Sequence, residues 1–287
     1  MRTYKGYIML LVAFGITALL IFVPLIIGIN LSFTNRNLLY PTTQYVGLNN
    51  YINLFHDPEF WIAFLHSGIL VSVVVALEYV LGILLALTLK QNIPGIHFFR
   101  GIVMVTWVIP IVATVIMWQF MSQPGYGFIN MILTSIGLKN YATYFFGSMT
   151  FAFPMIMILH LWRNVPFFGI AFLAAMQAIP EELYEAASID GASKWERFKY
   201  ITLPGIKYTG LIMITIHVIW TFNQFSIVYI ATGGGPINAT DVLPTYLYRQ
   251  VWSNYNIGYG ASIGVIMLLI LLAFFFIFNR TYGRETT

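Results

Sequence analysis

Long apolar runs, separated by short polar segments, dominate the hydropathy pattern of the chain. A membrane-spanning helix needs roughly 20 mainly apolar residues to cross a hydrocarbon core of about 30 Å. Six segments of the 287-residue sequence meet this requirement. They are residues 7–31, 61–89, 101–122, 150–179, 208–231 and 257–279. We therefore predict an all-α integral membrane protein with six transmembrane helices, forming a single domain over 1–287.

The composition agrees with a membrane protein. The chain is 59% hydrophobic and 8% charged, whereas soluble domains contain about 25% charged residues. It has no cysteine, which excludes a disulfide framework and thiolate metal or redox sites. The net charge of +4 comes from basic residues at the ends of apolar runs, which does not form a basic face for nucleic acid. We predict contact with membrane lipid, no metal site and no nucleic-acid partner.

The positions of lysine and arginine predict the orientation in the membrane, because these residues accumulate in cytoplasmic segments. If the N-terminus is cytoplasmic, the cytoplasmic segments contain Arg2, Lys5, Lys90, Arg100, Lys194, Arg197, Lys199, Lys207, Arg280 and Arg284. The outer loops 32–60, 123–149 and 232–256 then contain only Arg36, Lys139 and Arg249. This asymmetry predicts that both termini and the loop 180–207 lie in the cytoplasm.

Prolines interrupt several of the predicted spans. Each removes a backbone donor and is expected to kink its helix. They are Pro24, Pro110, Pro154 and Pro166. Such breaks fit a bundle that encloses a water-lined pathway, but prolines are also common in membrane helices in general. The sequence leaves both interpretations open.

The loop 180–207 contains strong local signals for two short helices. Pro180 and the two acids after it favour a helix start, and this helix is expected to run to about Ile189. The dipeptide 190–191, Asp-Gly, predicts a turn that needs a left-handed backbone conformation at Gly191. Ser193 and the glutamate three residues later form a capping-box pattern. We predict that the second helix ends before Pro204.

Apolar side chains alternate with charged ones along this loop. They are Leu183, Ala186, Ala187, Ile189, Trp195 and Phe198. This composition is typical of a helix that binds in a groove of another protein. An amphipathic helix lying on the bilayer surface would have a similar pattern.

One motif in the loop resembles a known family. Glu185-Ala186-Ala187, three further residues, Gly191, nine further residues and then Ile201 to Pro204 resemble the EAA signature of permease subunits in binding-protein-dependent ABC importers. We refer to residues 180–207 as the EAA loop. The segments 45–61, 178–198 and 231–240 are similar to the carbohydrate-uptake branch, whose members include the maltose transporter permeases.

The resemblance implies a fold, a function and a set of partners. The fold would be that of a type I ABC importer permease in a prokaryotic cell membrane, and the function would be uptake of a mono- or oligosaccharide. The partners would be a second permease subunit, a dimer of cytoplasmic ATPase subunits and an extracytoplasmic substrate-binding protein. ATP and magnesium would bind to the ATPase, because this chain has no Walker A motif and is expected to be non-catalytic. The residues expected to couple the loop to the ATPase are Glu185, Ala186, Ala187, Asp190, Gly191, Trp195 and Phe198.

Other functions remain as alternatives. Permeases for glycerol phosphate or a polyol share these motifs. An ion-coupled secondary transporter would place acids along the pathway, and an intramembrane hydrolase would need a metal-binding pair or a Ser-His dyad. Neither of these last two classes explains the two-helix loop.

Polar and aromatic residues within the spans are candidates for the substrate path, because sugars bind through hydroxyl hydrogen bonds and aromatic faces. The fifth span provides Trp220, Asn223, Gln224 and Tyr229, and the third span provides Trp118 and Gln119. The same amides would also suit hydrogen bonds between helices.

Charged residues and histidines within the spans are the remaining candidates. Glu78 and Arg163 are the charged residues inside the predicted spans. Because buried charges are usually paired, one interpretation is a structural pair between them, and the alternative is that Arg163 marks a gate. His66, His160 and His217 are far apart in the sequence, which favours packing or hydrogen bonding over a proton relay.

Overall fold

The structure is a computed structural model that describes residues 2–40 and 42–282, and every regular element in these ranges is a helix. The α-helices are α1 (Arg2–Ser32), α2 (Asn49–His56), α3 (Pro58–Leu89), α4 (Ile96–Val108), α5 (Ile111–Met121), α6 (Phe128–Ser135), α7 (Ala152–Gln177), α8 (Glu181–Ile189), α9 (Lys194–Arg197), α10 (Leu203–Phe222), α11 (Ser226–Thr232), α12 (Leu243–Tyr248) and α13 (Ile257–Tyr282). Short 3₁₀ turns cover Lys139–Tyr141 and Phe145–Gly147, and π-helical stretches cover Phe198–Thr202 and Arg249–Ser253.

The predicted all-α membrane architecture is confirmed. Within the described ranges, five helical segments are long and apolar enough to cross a membrane, and a sixth span results if α4 and α5 count as one. The five segments are Phe14–Ser32, Pro58–Leu89, Ala152–Gln177, Lys194–Phe222 and Ile257–Tyr282.

The third span was predicted as one helix over 101–122, and the structure corrects this. The span begins earlier, at Ile96, and bends by 94° between α4 and α5. Ile109 has an extended backbone (ψ 133°), as expected for a residue before proline, and Pro110 is extended too (ψ 137°). Two consecutive extended residues turn the chain sharply.

The predicted kink is confirmed at Pro110, but the other three prolines lie inside unbroken helices. Pro24 is within α1 and Pro166 is within α7. Pro154 lies in the first turn of α7, where a helix does not need its N–H.

The fifth span also differs from the predicted range 208–231. Its helix starts in the EAA loop and is continuous from Lys194 to Phe222. It then breaks at residues 223–225 and resumes as α11. Pro204 does not end the helix, so the predicted end of the second loop helix is wrong. The π-helical stretch before Pro204, in which the Leu203 N–H donates to the Phe198 carbonyl, accommodates the proline.

By its internal contacts the chain divides into two units. The first comprises the chain up to Trp61 together with Tyr246–Phe276, and the second comprises Ile62–Thr245 together with the segment from Ile277. The second unit contains two apolar clusters, one around Ile156 and Val228 and one around Phe172 and Ile206. In it, α7 packs against α4, α10 and α11.

In the first unit, a carboxylate joins α2, α12 and α13. Asp57 Oδ2 accepts hydrogen bonds from the hydroxyls of Tyr246 and Tyr259, and its Oδ1 accepts one from the Glu59 N–H at 2.9 Å. Burial by itself would raise the pKa of Asp57. The hydrogen bonds from Tyr246, Tyr259 and the backbone N–H groups of Glu59 and Phe60 outweigh burial, and the pKa lies below its ordinary value of 3.8.

Asp57→Asn is expected to lower the free energy of unfolding at neutral pH by about 2 kcal/mol, because fully buried Tyr246 loses a charged acceptor. Since the folded-state pKa of Asp57 is depressed, its contribution is present above pH 3.8 and is lost as the pH falls through the folded-state pKa. Melting temperatures of the detergent-solubilised protein measured against pH test this. The variant should lose less stability than wild type on acidification, and equal losses would contradict the role of Asp57.

Candidate functional site

The first helix of the EAA loop has the predicted bounds. It covers Glu181–Ile189 and has Glu181 and Glu182 in its first turn. It ends in a Schellman motif, in which the Ala192 N–H donates to the Ala187 carbonyl at 2.9 Å and the Gly191 N–H donates to the Ser188 carbonyl at 3.2 Å. This motif requires a left-handed residue, and Gly191 has a φ of +80°. The predicted turn at Gly191 is confirmed.

The second helix of the loop starts as predicted. Ser193 accepts a hydrogen bond from the Glu196 N–H at 3.3 Å, and the Glu196 carboxylate accepts one from the Ser193 N–H at 2.7 Å. Both halves of the capping box are therefore present.

The EAA loop exposes large apolar side chains. Ile189 is 87% exposed and Trp195 is 68% exposed. The ring of Trp195 lies 5.5 Å from the half-buried ring of Phe198, which packs on the apolar cluster around Phe172. The other predicted coupling residues are also accessible: Glu185, Ala186, Asp190 and Gly191 are exposed, and Ala187 is half-buried. An exposed apolar surface of this kind favours a protein partner.

Tyr184 braces the loop and was not predicted from the sequence. Its hydroxyl is hydrogen-bonded to Thr202 Oγ1 at 3.0 Å, which ties α8 to the π-helical stretch. Lys90, after the end of α3, places its ammonium group 4.3 Å from the centre of the Tyr184 ring. The tyrosine in the motif "LYEAA" gave no local signal for these long-range contacts.

Glu78 does not pair with Arg163, so the interpretation of these two residues as a structural pair is wrong. Glu78 is completely buried, and its carboxylate binds His160 (Oε1 to Nδ1, 3.1 Å) and His217 (Oε2 to Nδ1, 2.9 Å). The fold thus joins two histidines that are far apart in the sequence. His66 instead lies 3.0 Å from the backbone carbonyl oxygen of Asp241.

Arg163 stabilises the bend of the third span. Its Nη1 donates to the carbonyl oxygen of Ile109 at 2.6 Å and lies 3.4 Å from both the Thr106 carbonyl and Thr114 Oγ1. The interruption of the helix at Pro110 leaves the Ile109 carbonyl without a helical hydrogen bond, and the guanidinium group of Arg163 supplies the missing donor.

The amides proposed for the substrate path bind backbone groups. Asn223 Nδ2 donates to the Ile219 carbonyl at 2.9 Å, and Gln224 Oε1 lies 3.5 Å from the Ile227 nitrogen. Gln119 Nε2 donates to the carbonyl of Ala231 at 2.9 Å. These side chains satisfy backbone groups at the break of the fifth span and at the end of α11.

The aromatic candidates have different surroundings. Trp220 is 51% exposed and Tyr229 is 41% exposed, whereas Trp118 is buried against Trp162 with ring centres 5.8 Å apart. Trp118 and Trp162 line a mainly apolar groove of about 480 Å³.

Two further aromatic residues, which were not predicted from the sequence, extend the surface of Trp220. Its ring lies 6.2 Å from that of Phe167, which stacks on Trp107 at 5.2 Å. The side chains meet because α4, α7 and α10 pack together, and this arrangement has no local sequence signal.

Two buried polar atoms on α10 have no hydrogen-bond partner among the residues that the structure describes. They are Nε2 of His217 and Oγ1 of Thr221. Residues four positions apart lie on the same helix face. A water molecule or a hydroxylated solute would satisfy such atoms.

Comparison with known proteins identifies relatives over nearly the whole chain. The family described as "Binding-protein-dependent transport system inner membrane component" matches residues 78–285. The chain is 33% identical over 282 residues to the trehalose/maltose transport system permease protein MalF of Thermococcus litoralis, a match that covers 97% of this chain and 93% of that protein. It is 36% identical over 271 residues to the diacetylchitobiose uptake system permease protein DasB of Streptomyces coelicolor, covering 93% of this chain and 83% of that protein.

A solved structure has the same fold. It is a chain of a bacterial alginate ABC transporter in complex with an alginate pentasaccharide-bound periplasmic protein. The TM-score is 0.88 at 25% identity, over 100% of this chain and 96% of that chain.

Proposed function

Because the chain belongs to the family of binding-protein-dependent transport system inner membrane components, we propose that it is the permease subunit of an ATP-driven sugar importer. Two relatives that are 33% and 36% identical to this chain are permeases of a trehalose/maltose system and a diacetylchitobiose system. In this role the chain is a multi-pass protein of a prokaryotic inner membrane and forms half of the translocation path. A second permease subunit forms the other half.

The exposed apolar surface of the EAA loop is the observation on which this proposal rests. Ile189 and Trp195 project into solvent from two helices held at a fixed angle by the Gly191 turn. A groove on a cytoplasmic ATPase would bury these side chains and receive the carboxylate of Glu185. The partner ATPase dimer binds ATP and magnesium, and this chain transmits the movement without catalysing a reaction.

The predicted orientation in the membrane extends the proposal to the rest of the transport cycle. Both termini and the EAA loop lie in the cytoplasm, where the ATPase binds, and an extracytoplasmic binding protein delivers the sugar to the opposite side. ATP binding moves the EAA loop, and the continuous helix from Lys194 to Phe222 transfers this movement into the bundle. The bundle then alternates between outward-facing and inward-facing states.

A neutral saccharide fits better than glycerol phosphate as the substrate. A phosphorylated solute favours a cationic group along the path. In the sequence, the six predicted spans together contain a single arginine, Arg163, and no lysine. Its Nη1 is bound to the Ile109 carbonyl at the bend of the third span. The row formed by Trp220, Phe167 and Trp107 instead offers apolar faces to sugar rings.

Trp220→Ala is expected to raise the KM for sugar uptake about tenfold, because the half-exposed indole ring loses its stacking energy of roughly 1 kcal/mol or more. Uptake of radiolabelled sugar into vesicles measures this, with the amount of captured ATPase recorded in parallel. Trp252→Ala removes another exposed tryptophan, 60% exposed, and serves as the control with an unchanged KM. Equal KM values in wild type and the Trp220 variant would remove Trp220 from the path.

The proposed function is tested by purifying the chain with its candidate ATPase and second permease in lipid nanodiscs. Hydrolysis of ATP should rise when sugar-loaded binding protein is added, and unloaded binding protein should stimulate it less. If the chain captures no ATPase, and vesicles take up sugar in response to an ion gradient alone, the importer proposal is wrong and a secondary transporter replaces it.

A further inference from the structure

Glu78 is a buried carboxylate that connects three helices. It lies on α3 and has no exposed surface. Its two oxygens bind two ring nitrogens: Nδ1 of His160 on α7 at 3.1 Å, and Nδ1 of His217 on α10 at 2.9 Å. A carboxyl group removed from water is unstable unless polar groups replace its hydration. Here the hydration is replaced by histidines on two other helices, α7 and α10. Glu78 therefore joins α3 to both of them.

The two histidine rings are held in place by their own neighbours. Asn164 lies one turn further along α7, and its Nδ2 donates to the backbone oxygen of His160 at 3.0 Å. The same Nδ2 lies 3.0 Å from Nδ1 of His160, whose own proton is directed at Glu78. Phe168 contacts the His217 ring edge-to-face, with ring centres 4.4 Å apart. Because both rings are fixed, their hydrogen bonds to Glu78 have a defined direction as well as a defined length.

His217 belongs to the helix that starts in the EAA loop. This helical segment is continuous from Lys194 to Phe222, and Lys194 lies three residues after the Gly191 turn. At a rise of 1.5 Å per residue, His217 is about 35 Å from Lys194 along the axis. A continuous helix of this length transmits a displacement of its loop end to His217.

Apolar contacts surround this hydrogen-bonded group. Ile83, Phe172 and Met213 belong to the same buried cluster of the second unit, which α3, α7 and α10 share. Apolar packing has no preferred direction, so it fixes the relative position of two helices less specifically than a directional hydrogen bond does. A hydrogen-bonded carboxyl group in this environment specifies the register between the helices.

We propose that Glu78 is a positioning residue of the transport cycle. Through His217 and His160 it fixes the helix that leaves the EAA loop to α3 and α7, so that movement of the loop displaces the three helices together. This inference rests on the proposed function, since it assigns to Glu78 the transfer of movement from the loop into the bundle.

Two substitutions separate this role from simple stabilisation. Glu78→Ala removes both hydrogen bonds, whereas the amide of Glu78→Gln accepts a hydrogen bond from one ring and donates to the other, whose tautomer adjusts. Ser72→Ala is the control on the same helix, because the Ser72 hydroxyl bonds to the Gly68 and Ile69 carbonyls of its own turn. All variants are prepared as the complete complex in nanodiscs, with ATPase, second permease and binding protein.

The measurement is the ratio of ATP hydrolysis with loaded binding protein to basal hydrolysis, per assembled complex. We expect Glu78→Ala to lower this ratio by about tenfold, while assembled complex and basal hydrolysis persist. Glu78→Gln should retain most of the stimulation, and Ser72→Ala should match wild type. The proposal is overturned if Glu78→Ala keeps a wild-type ratio, or if basal and stimulated rates fall together in proportion to lost thermal stability.

A second measurement does not depend on transport. The sequence contains no cysteine, so spin labels can be attached to cysteines introduced at exposed Val80 on α3 and exposed Ile212 on α10. In the purified chain, Glu78→Ala should broaden or shift the distance distribution between the labels, and Glu78→Gln should leave it unchanged. An unchanged distribution in Glu78→Ala overturns the positioning role. If the distances change but wild-type complex shows no stimulation by binding protein, the proposed function fails while the connection between the helices stands.

Discussion

Gly191→Pro is expected to reduce the amount of ATPase that co-purifies with the chain at least about tenfold, and to abolish stimulation by the binding protein. The φ angle of Gly191 is +80°, and proline is fixed near −65°. The substitution also removes the N–H that bonds to the Ser188 carbonyl. The two helices of the EAA loop would then leave each other at a different angle, and Ile189 and Trp195 would no longer fit one binding groove.

The chain offers a matched control for this substitution at Gly137. Gly137 has a φ of +84° and ends α6 with the same pattern of hydrogen bonds, from its own N–H to Thr134 at 3.2 Å and from Leu138 to Leu133 at 2.8 Å. No atom lies within 4 Å of a Cβ added at Gly137 or at Gly191. Gly137→Pro therefore causes similar local strain in the predicted outer loop 123–149. Retained ATPase in Gly191→Pro would show that the EAA loop is not the binding surface, and equal loss in both variants would indicate general destabilisation.

Gly82→Ile is expected to destabilise the folded chain by about 3 kcal/mol, at the upper end of the range for overpacking, because backbone and Cβ atoms cannot move aside as flexible side chains do. A Cβ added at Gly82 would lie 2.5 Å from the Cβ of Phe168. Across the same contact, a Cβ added at Gly169 would lie 2.6 Å from a methyl group of Leu85. The two glycines allow α3 and α7 to approach closely. The melting temperature and the yield of monodisperse protein in detergent measure the effect.

Gly68→Ile is the control for this prediction. Gly68 lies on the same helix, and no atom lies within 4 Å of a Cβ added there. Its substitution should change the free energy of unfolding by no more than about 0.5 kcal/mol, as is usual for accessible positions. The melting temperature should therefore stay close to that of wild type. If both substitutions destabilise the chain to a similar extent, isoleucine destabilises α3 at either position. The close contact between Gly82 and α7 would then not be the cause of the effect.

The EAA loop was predictable from the sequence because its signals are local. Proline and acids at the start of α8, glycine at its end and the capping box at Ser193 each act within four residues. The bend at Pro110 has a similar origin, since proline constrains the residue before it. For such features, the neighbouring residues contain most of the information.

The errors concern interactions between distant segments. The sequence shows that Glu78 and Arg163 are charges in apolar runs, but it does not show which helix each side chain faces. In the structure Glu78 binds two histidines, and Arg163 binds the carbonyl freed at the bend. The same limitation hid the aromatic row around Trp220 and the contacts of Tyr184. These groupings depend on how α3, α7 and α10 pack.

The π-helical stretch Phe198–Thr202 has a consequence for how the length of this segment can vary among relatives. A π-helical turn contains one residue more than an α-helical turn, so deleting one residue there would restore a regular α-helix without rotating the downstream face that contains His217. Elsewhere in Lys194–Phe222, the same deletion would turn every following side chain by about 100°. The shortened helix would, however, bring the ring of Pro204 against the carbonyl four residues earlier. The extra residue and the proline should therefore be gained or lost together, as one inherited unit.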